Sequence, residues 1–264
     1  MVAQAQLEEV LHQAPQRYGL ARTRWRLQDL RVAVSWLARC SVPGISRLLW
    51  RLGFSRQQVQ RFVRSPDPDY AAKRRAVVQA FTQAVNQPGT VELVFLDEVT
   101  YYRLPDKAPV YHRTATAQPR VAGAARANTQ TRVVAALNGY TGRVDYLQRS
   151  CIGEQALRTF YQHLRQAYPE AQTIYVVQDN WPTHKLPTVL AELAAQHCIP
   201  LFLPTYASWL NPIEKLWRWL RQTLLHAHPY AVALEPLRQQ VIAWLDQFAT
   251  SSDTLLRYVG LLLD

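Results

Sequence analysis

The chain has 264 residues, 48% of them hydrophobic, with 8 Trp, 13 Tyr and only 9 Gly. This is a globular composition with enough chain for one large or two small domains, and it excludes a fibrous or disordered protein. The net charge of +11 and pI near 9.9 favour a polyanionic partner, nucleic acid before membrane. No apolar run approaches a membrane span, and the N-terminus lacks a charged-then-apolar signal pattern. The 3 cysteines, Cys40, Cys151 and Cys198, are widely separated and have no metal-ligand spacing. Free thiols in a cytoplasmic, nucleoid-associated protein are the expectation.

From Arg17 to Arg64 there are eleven arginines, no lysine and one acid, Asp29. A solvated face usually mixes signs, so this one-sided charge reads as a phosphate-binding surface. Three short helices fit the pattern. Leu27, Leu30, Val34 and Leu37 form the first apolar stripe. Ser41 caps a second helix carrying Ile45, Leu48, Leu49 and Leu52, and Gly53 ends it. Ser55 caps a third, with Val59, Phe62 and Val63 inward. Two short helices across a Gly turn, with Arg and Gln outward, read as a helix-turn-helix or as a basic bundle that only holds phosphate. The candidate DNA contacts are Arg22, Arg24 and Arg26 around Trp25, then Arg47, Arg51, Arg56, Gln57, Gln60, Arg61 and Arg64. Arg and Gln can pair with guanine and adenine edges, although phosphate contacts are the commoner kind.

The run Ser65-Pro66-Asp67-Pro68-Asp69 breaks the helical pattern and reads as a linker. The expected division is a helix-turn-helix domain over 1–65, a linker over 66–72 and a larger domain over 73–264. The latter opens with a helix whose inner side is Val77, Val78, Phe81, Ala84 and Val85. Val91–Leu96 is a buried strand ending at Asp97-Glu98. Thr131–Leu137 and Arg143–Leu147 form a hairpin across Asn138-Gly139 and Thr141-Gly142. Gln155–Ala167 is helical, and Thr173–Gln178 is a strand ending at Asp179-Asn180. Leu186–His197 is helical, and Pro200–Leu203 is the last strand. A meander followed by alternating strands and helices is an α/β mixed sheet with helices on its faces.

The most informative stretch is Leu201–Leu225, LFLPTYASWLNPIEKLWRWLRQTLL. Asn211-Pro212 starts a helix, with Asn as N-cap and Pro at the first helical position. Ile213, Leu216, Trp217, Leu220 and Leu224 make its apolar face, with Glu214 beside them in the first turn. Glu214 has a plain structural reading, as partner in a capping box and in an ion pair with Arg218. Its other reading depends on Asp97 and Asp179. Each ends an apolar strand, where open α/β sheets place their ligand sites, although an acid there is often only a turn residue. Three carboxylates converging on one point repel unless a cation lies between them. Hard oxygen ligands with open positions suit Mg²⁺ or Mn²⁺, and two such ions can drive phosphodiester chemistry.

The motifs FLDE (Phe95–Glu98), VQDNWPTH (Val177–His184) and LPTYASWLNPIEKLWRWLR (Leu203–Arg221) resemble the mariner-like transposases of bacterial insertion sequences. That family belongs to the Asp-Asp-Glu superfamily with a ribonuclease-H-like catalytic fold. The 34 residues between Asp179 and Glu214 match its spacing. The resemblance implies that Asp97, Asp179 and Glu214 are catalytic acids holding two Mg²⁺ or Mn²⁺ ions. It sets Asn180 and His184 beside the metals, where they otherwise read as helix caps. It implies that Tyr206, Trp209 and Asn211 fix the loop presenting Glu214, with Trp209 alternatively plain core. Glu98, pointing away from Asp97 on a strand, reads as structural. The partners implied are double-stranded DNA, namely terminal inverted repeats and target, and a second copy in a homodimeric DNA complex. Family members carry two N-terminal DNA-binding subdomains, and only the second is recognisable here, from about Trp25 to Pro68. A split frame, a decayed copy and a short variant all fit that pattern. A stand-alone metal nuclease and an idle DNA-binding regulator are the rival functions.

DNA binding is expected to be electrostatic first. Affinity should fall steeply with salt, each neutralised phosphate contributing about −0.9 to the log–log slope. Anisotropy titration from low to moderate salt measures this, and a flat response removes the basic segment from the binding role.

Overall fold

The computed structural model describes residues 2–55, 65–111, 113, 117, 120 and 129–262. The chain divides into two compact units, Met1–Val63 and Arg64–Asp264. The first is helical, with α1 Val2–His12, α2 Leu30–Ala33 and α3 Val42–Arg51. Its core is Leu7, Val10, Leu30, Val34, Leu37 and Ile45. The expected helix through Leu27–Leu37 is broken. Val34 is extended at φ −123, ψ 103, and a 3₁₀ turn, Ser35–Leu37, follows. Val32 and Val34 are β-branched and lose side-chain freedom in a helix, so the stripe is buried in two pieces. The second helix forms as read: Ser41 Oγ accepts from the Gly44 amide at 3.2 Å, and Gly53 takes φ +82. Helix α1 was not expected, although Leu7, Val10 and Leu11 carry helical spacing. The third helix, with Arg56, Gln57, Gln60, Arg61 and Arg64, lies outside the described residues.

The second unit is built on a five-stranded mixed sheet of order β3-β2-β1-β4-β5. Strands β1 Val91–Tyr102, β2 Gln130–Asn138 and β3 Val144–Arg149 form the antiparallel meander. Strands β4 Thr173–Gln178 and β5 Cys198–Phe202 run parallel to β1. Helix α4, Tyr70–Asn86, precedes the sheet; α5, Glu154–Ala167, and α6, Pro187–Ala195, connect its later strands. Helices α7 Ile213–Leu220, α8 Leu234–Leu245 and α9 Asp253–Val259 complete the unit. Asn138 Oδ1 accepts the amides of Tyr140 and Thr141, each at 2.9 Å, which shapes the β2–β3 turn.

Side chains alternate across a strand, and the cores follow that period. Leu93, Phe95, Val99 and Tyr101 of β1 pack with residues of α4, α7, α8 and α9. Val94 and Leu96 pack instead with α5 and α6. Glu92, the one charge in the expected strand, is buried but accepts from Asn138 Nδ2 at 2.6 Å.

Two expectations are corrected. Strand β1 does not stop at Asp97; pairing with β2 carries it to Tyr102. Val78 and Val85 of α4 face outward, 53% and 41% exposed, because Val77, Ala80, Phe81 and Ala84 already fill the inner stripe. Among the described residues no helix is long and apolar enough to cross a membrane.

Candidate active site

Register places the first two acids. The β1–β4 parallel ladder is paired through Phe95 and Val177. Two residues further on each strand come Asp97 and Asp179, level with one another, where β4 has ended and β1 continues. Asp97 shares the parity of Phe95 and faces α7. There Trp217 Nε1 donates to Asp97 Oδ2 at 3.1 Å. Glu214 occupies the first turn of α7. All three carboxylates line one cavity of about 390 Å³, together with Asn180 and Asn211. An adjoining cleft of about 860 Å³ shares Asp97 and Glu214, and Trp209, Arg218 and Arg221 face it.

The loop that delivers Glu214 is tied at both ends to the strands that carry the aspartates. Asn180 Nδ2 donates to the Leu203 carbonyl at 2.5 Å, and Asn180 Oδ1 accepts Lys185 Nζ at 2.8 Å. Asn211 does not cap α7 with its side chain. Its Nδ2 donates instead to the Leu96 carbonyl at 3.0 Å, next to Asp97. The capping-box reading of Asn211 and Glu214 is therefore not realised. A buried backbone carbonyl just past the end of the β4 ladder needs a partner more than a helix start does. Trp209 is not core; it is 49% exposed at the cleft.

Electrostatics set the three acids apart. Burial, then the charges of Glu214 and Glu98, pushes Asp97 up to about 8. Burial also raises Glu214, against the lowering effect of Arg221 and Arg218. Asp179 is lowered, chiefly by His184, whose Nδ1 lies 3.1 Å from Asp179 Oδ1. This 3.1 Å contact falls outside strict hydrogen-bond geometry, yet it is the one that lowers Asp179 most. His184 is fully buried. Burial alone would lower it, but Asp179 and Glu98 together hold it at about 9. Its Nε2 lies 3.0 Å from Glu98 Oε1. Glu98 does point away from Asp97, yet through His184 it reaches Asp179, a role its sequence position did not suggest.

These donors suit a hard divalent cation. Oxygen ligands from three carboxylates line one cavity, and Asp97 and Glu214 are both raised, chiefly by burial and for Asp97 also by the charge of Glu214, a cost that a cation would relieve. Among the described residues no three such side chains are drawn in closely enough to coordinate one ion. Asp97 is held by Trp217 and Asp179 by His184 and the Trp181 amide. In the N-terminal unit Arg24, Arg26, Arg47 and Arg51 are exposed. Arg22 pairs with the buried Asp29 at 3.3 Å. Trp217 went unrecognised as a site residue; the signal was an indole N–H on an otherwise apolar stripe.

Residues 92–235, more than half of the chain, match the family model for the DDE superfamily endonucleases. The chain belongs to that family. Over 225 residues it is 23% identical to the insertion element IS630 uncharacterized 39 kDa protein of Shigella sonnei. The match covers 84% of this chain but 64% of that protein, so the chain spans less than two thirds of this curated relative. The structure is similar to the Mos1 transposase paired-end complex with left transposon end, with TM-score 0.64 and 18% identity, covering 98% of this chain and 73% of that one. It is similar also to the mariner Mos1 paired end complex with Mg, with TM-score 0.63 and 16% identity, covering 98% and 73%. At such identities the likeness is one of fold, and the DDE endonuclease sheet seen here is the ribonuclease-H-like one.

A pH dependence follows for the metal-free DDE protein. The Asp97 carboxyl ionises at the ordinary 3.8 when unfolded and at about 8 when folded. The native state binds the extra proton, so stability falls as pH rises through that window. His184, moved from 6.5 to about 9, adds a further fall above 6.5. Urea unfolding across this range should show that Asp97→Asn makes the fall below 6.5 shallower, leaving the part due to Glu214, and keeps the His184 fall above. A constant offset between the two proteins at every pH would contradict the assignment.

Proposed function

We propose that this chain is the transposase of an IS630-like insertion element, cutting phosphodiesters at the element ends and joining the freed ends to target DNA. One observation carries the reading: Asp97 and Asp179 stand level at the β1–β4 split, and Glu214 opens the helix that closes the same cavity. Asp97, Asp179 and Glu214 are the catalytic acids and would hold Mg²⁺ or Mn²⁺, as two ions. Such ions supply Lewis-acid activation of a water or hydroxyl and stabilisation of the leaving oxygen. The chain's own residues do the rest. His184, braced by Glu98, keeps Asp179 ionised, and Trp217 orients Asp97. Arg218 and Arg221 offer cations to the phosphates of a strand lying in the adjoining cleft. The exposed arginines of the N-terminal unit hold the duplex by its backbone. Transposon ends come in pairs, so a homodimer on two ends is the working form, acting on DNA in the cytoplasm.

The test is cleavage of a supercoiled plasmid carrying the genomic sequence that flanks the coding frame. Glu214→Gln keeps shape and removes charge. It should fold and hold DNA as before, while Mg²⁺- or Mn²⁺-dependent cutting drops by orders of magnitude. Asp97→Asn and Asp179→Asn should do the same, and double changes should cost little more than single ones. Strand-transfer products separate a transposase from a stand-alone nuclease. Full activity in Glu214→Gln would remove this residue from the site.

A further inference from the structure

The loop between β5 and α7 places Glu214, and one residue of it is gripped from far away in sequence. Thr205 lines the cavity of the three acids. Its carbonyl accepts from Ser65 Oγ at 2.6 Å, and its amide donates to Asp67 Oδ2 at 2.8 Å. Both backbone groups of one loop residue are thus taken by a segment about 140 positions earlier. The Asp67 carboxylate is a junction. Its Oδ2 also receives Lys73 Nζ at 2.8 Å, and its Oδ1 receives the Asp69 amide at 2.9 Å. Its side chain is only 4% exposed. Lys73, then the Thr205 amide, holds this carboxyl far below the usual carboxylate range.

The junction is rigid on one side and the loop needs support on the other. Lys73 lies in the first turn of α4, whose Ala80 and Ala84 are buried in the main core. Pro66 and Pro68 flank Asp67 and restrict the backbone that carries it. In the loop, Tyr206 sits at φ +54, a region that side-chain-bearing residues rarely adopt, and its ring is 77% exposed. Such a conformation persists only where neighbours over-determine it. Asn180 holds the loop at Leu203, and Asn211 holds it against Leu96. Between them the grip on Thr205 spans the stretch beside Tyr206.

We propose that Ser65 and Asp67 are positioning residues for Glu214: the segment by which the chain leaves its basic N-terminal unit also sets the loop that carries the third acid. The proposal rests on the catalytic reading above. Asp67 touches no reacting atom; it acts through Thr205. A small misplacement of a catalytic group from outside the site can cost about 100-fold in rate.

The test uses the full chain, with hydrogen exchange across 203–208 and plasmid cleavage measured on the same preparations. Asp67→Ala should speed exchange at Thr205 and lower kcat about 10- to 100-fold, with KM for DNA and DNA affinity unchanged. Asp67→Asn keeps an acceptor for the Thr205 amide and should recover most of the rate, a graded rescue that simple loss of stability would not give. Should Asp67→Ala fail to fold, Asp67→Asn and Ser65→Ala carry the same comparison, each with a smaller loss. Free exchange of the Thr205 amide in the wild type overturns the proposal. So does wild-type cleavage by a folded Asp67→Ala whose loop exchanges freely, provided Glu214→Gln is inactive. Wild-type cleavage by Glu214→Gln instead overturns the catalytic reading, and this proposal with it.

Discussion

The parallel pairing of β1 with β4 is the constraint on which the site depends. A parallel ladder fixes which residues stand level, and a slip of one residue would turn Asp97 toward the α5–α6 face. The apolar pattern on both sides prevents that slip. Leu93, Phe95 and Val99 fill one core while Val94 and Leu96 fill the other. The aim of Asp97 is therefore a by-product of core packing: burying the right valines and leucines turns its carboxylate toward the cavity. The ladder also ends where it is useful. Beyond Phe95 and Val177 the strands part, and polar groups from Asn211 and Asn180 occupy the opening.

The acids that gather there are not in equal environments. Asp179 is drawn toward the charged state by His184, whereas Asp97 is pushed toward the neutral one by burial and by Glu214. Desolvating like charges together costs stability unless a counter-charge arrives. The protein supplies part of that counter-charge itself through His184, which touches Asp179 on one side and Glu98 on the other. The remainder suits a divalent cation. Glu98 shows how a residue on the far face of a strand still acts on the site, by reaching around the end of β4 through one imidazole.

Much of this was legible in the sequence for physical reasons. Strands β2 to β5, the Asn138-Gly139 turn and the Ser41 cap follow from apolar period and turn chemistry, which are local. The shared placement of the three acids was legible because Asp97 closes the apolar run of β1, Asp179 follows the end of β4 and Glu214 opens α7, all local patterns. What escaped was long-range. Strand β1 runs past Asp97 because β2, far later in the chain, continues to pair with it through Tyr102↔Gln130. Asn211 abandons its cap because the Leu96 carbonyl, 115 positions earlier, needs a donor. The outward turn of Val78 and Val85 depends on which stripe of α4 the sheet selects. Asp67 looked like linker punctuation, and only the fold brings it to Thr205. The reading of the N-terminal helices succeeded where a cap was present, at Ser41, and failed at Val34, where the chain kinks to bury the same stripe.

Cation binding by the intact chain probes the central claim, that one fold-imposed register makes Asp97, Asp179 and Glu214 a single oxygen site. Mn²⁺ titration followed by electron paramagnetic resonance, without DNA, measures it directly. The expected result is saturable binding that weakens sharply in each of Asp97→Asn, Asp179→Asn and Glu214→Gln, with a proton released on binding because Asp97 holds one up to about pH 8. Mn²⁺ affinity unchanged by Glu214→Gln, or binding indifferent to all three substitutions, would contradict it.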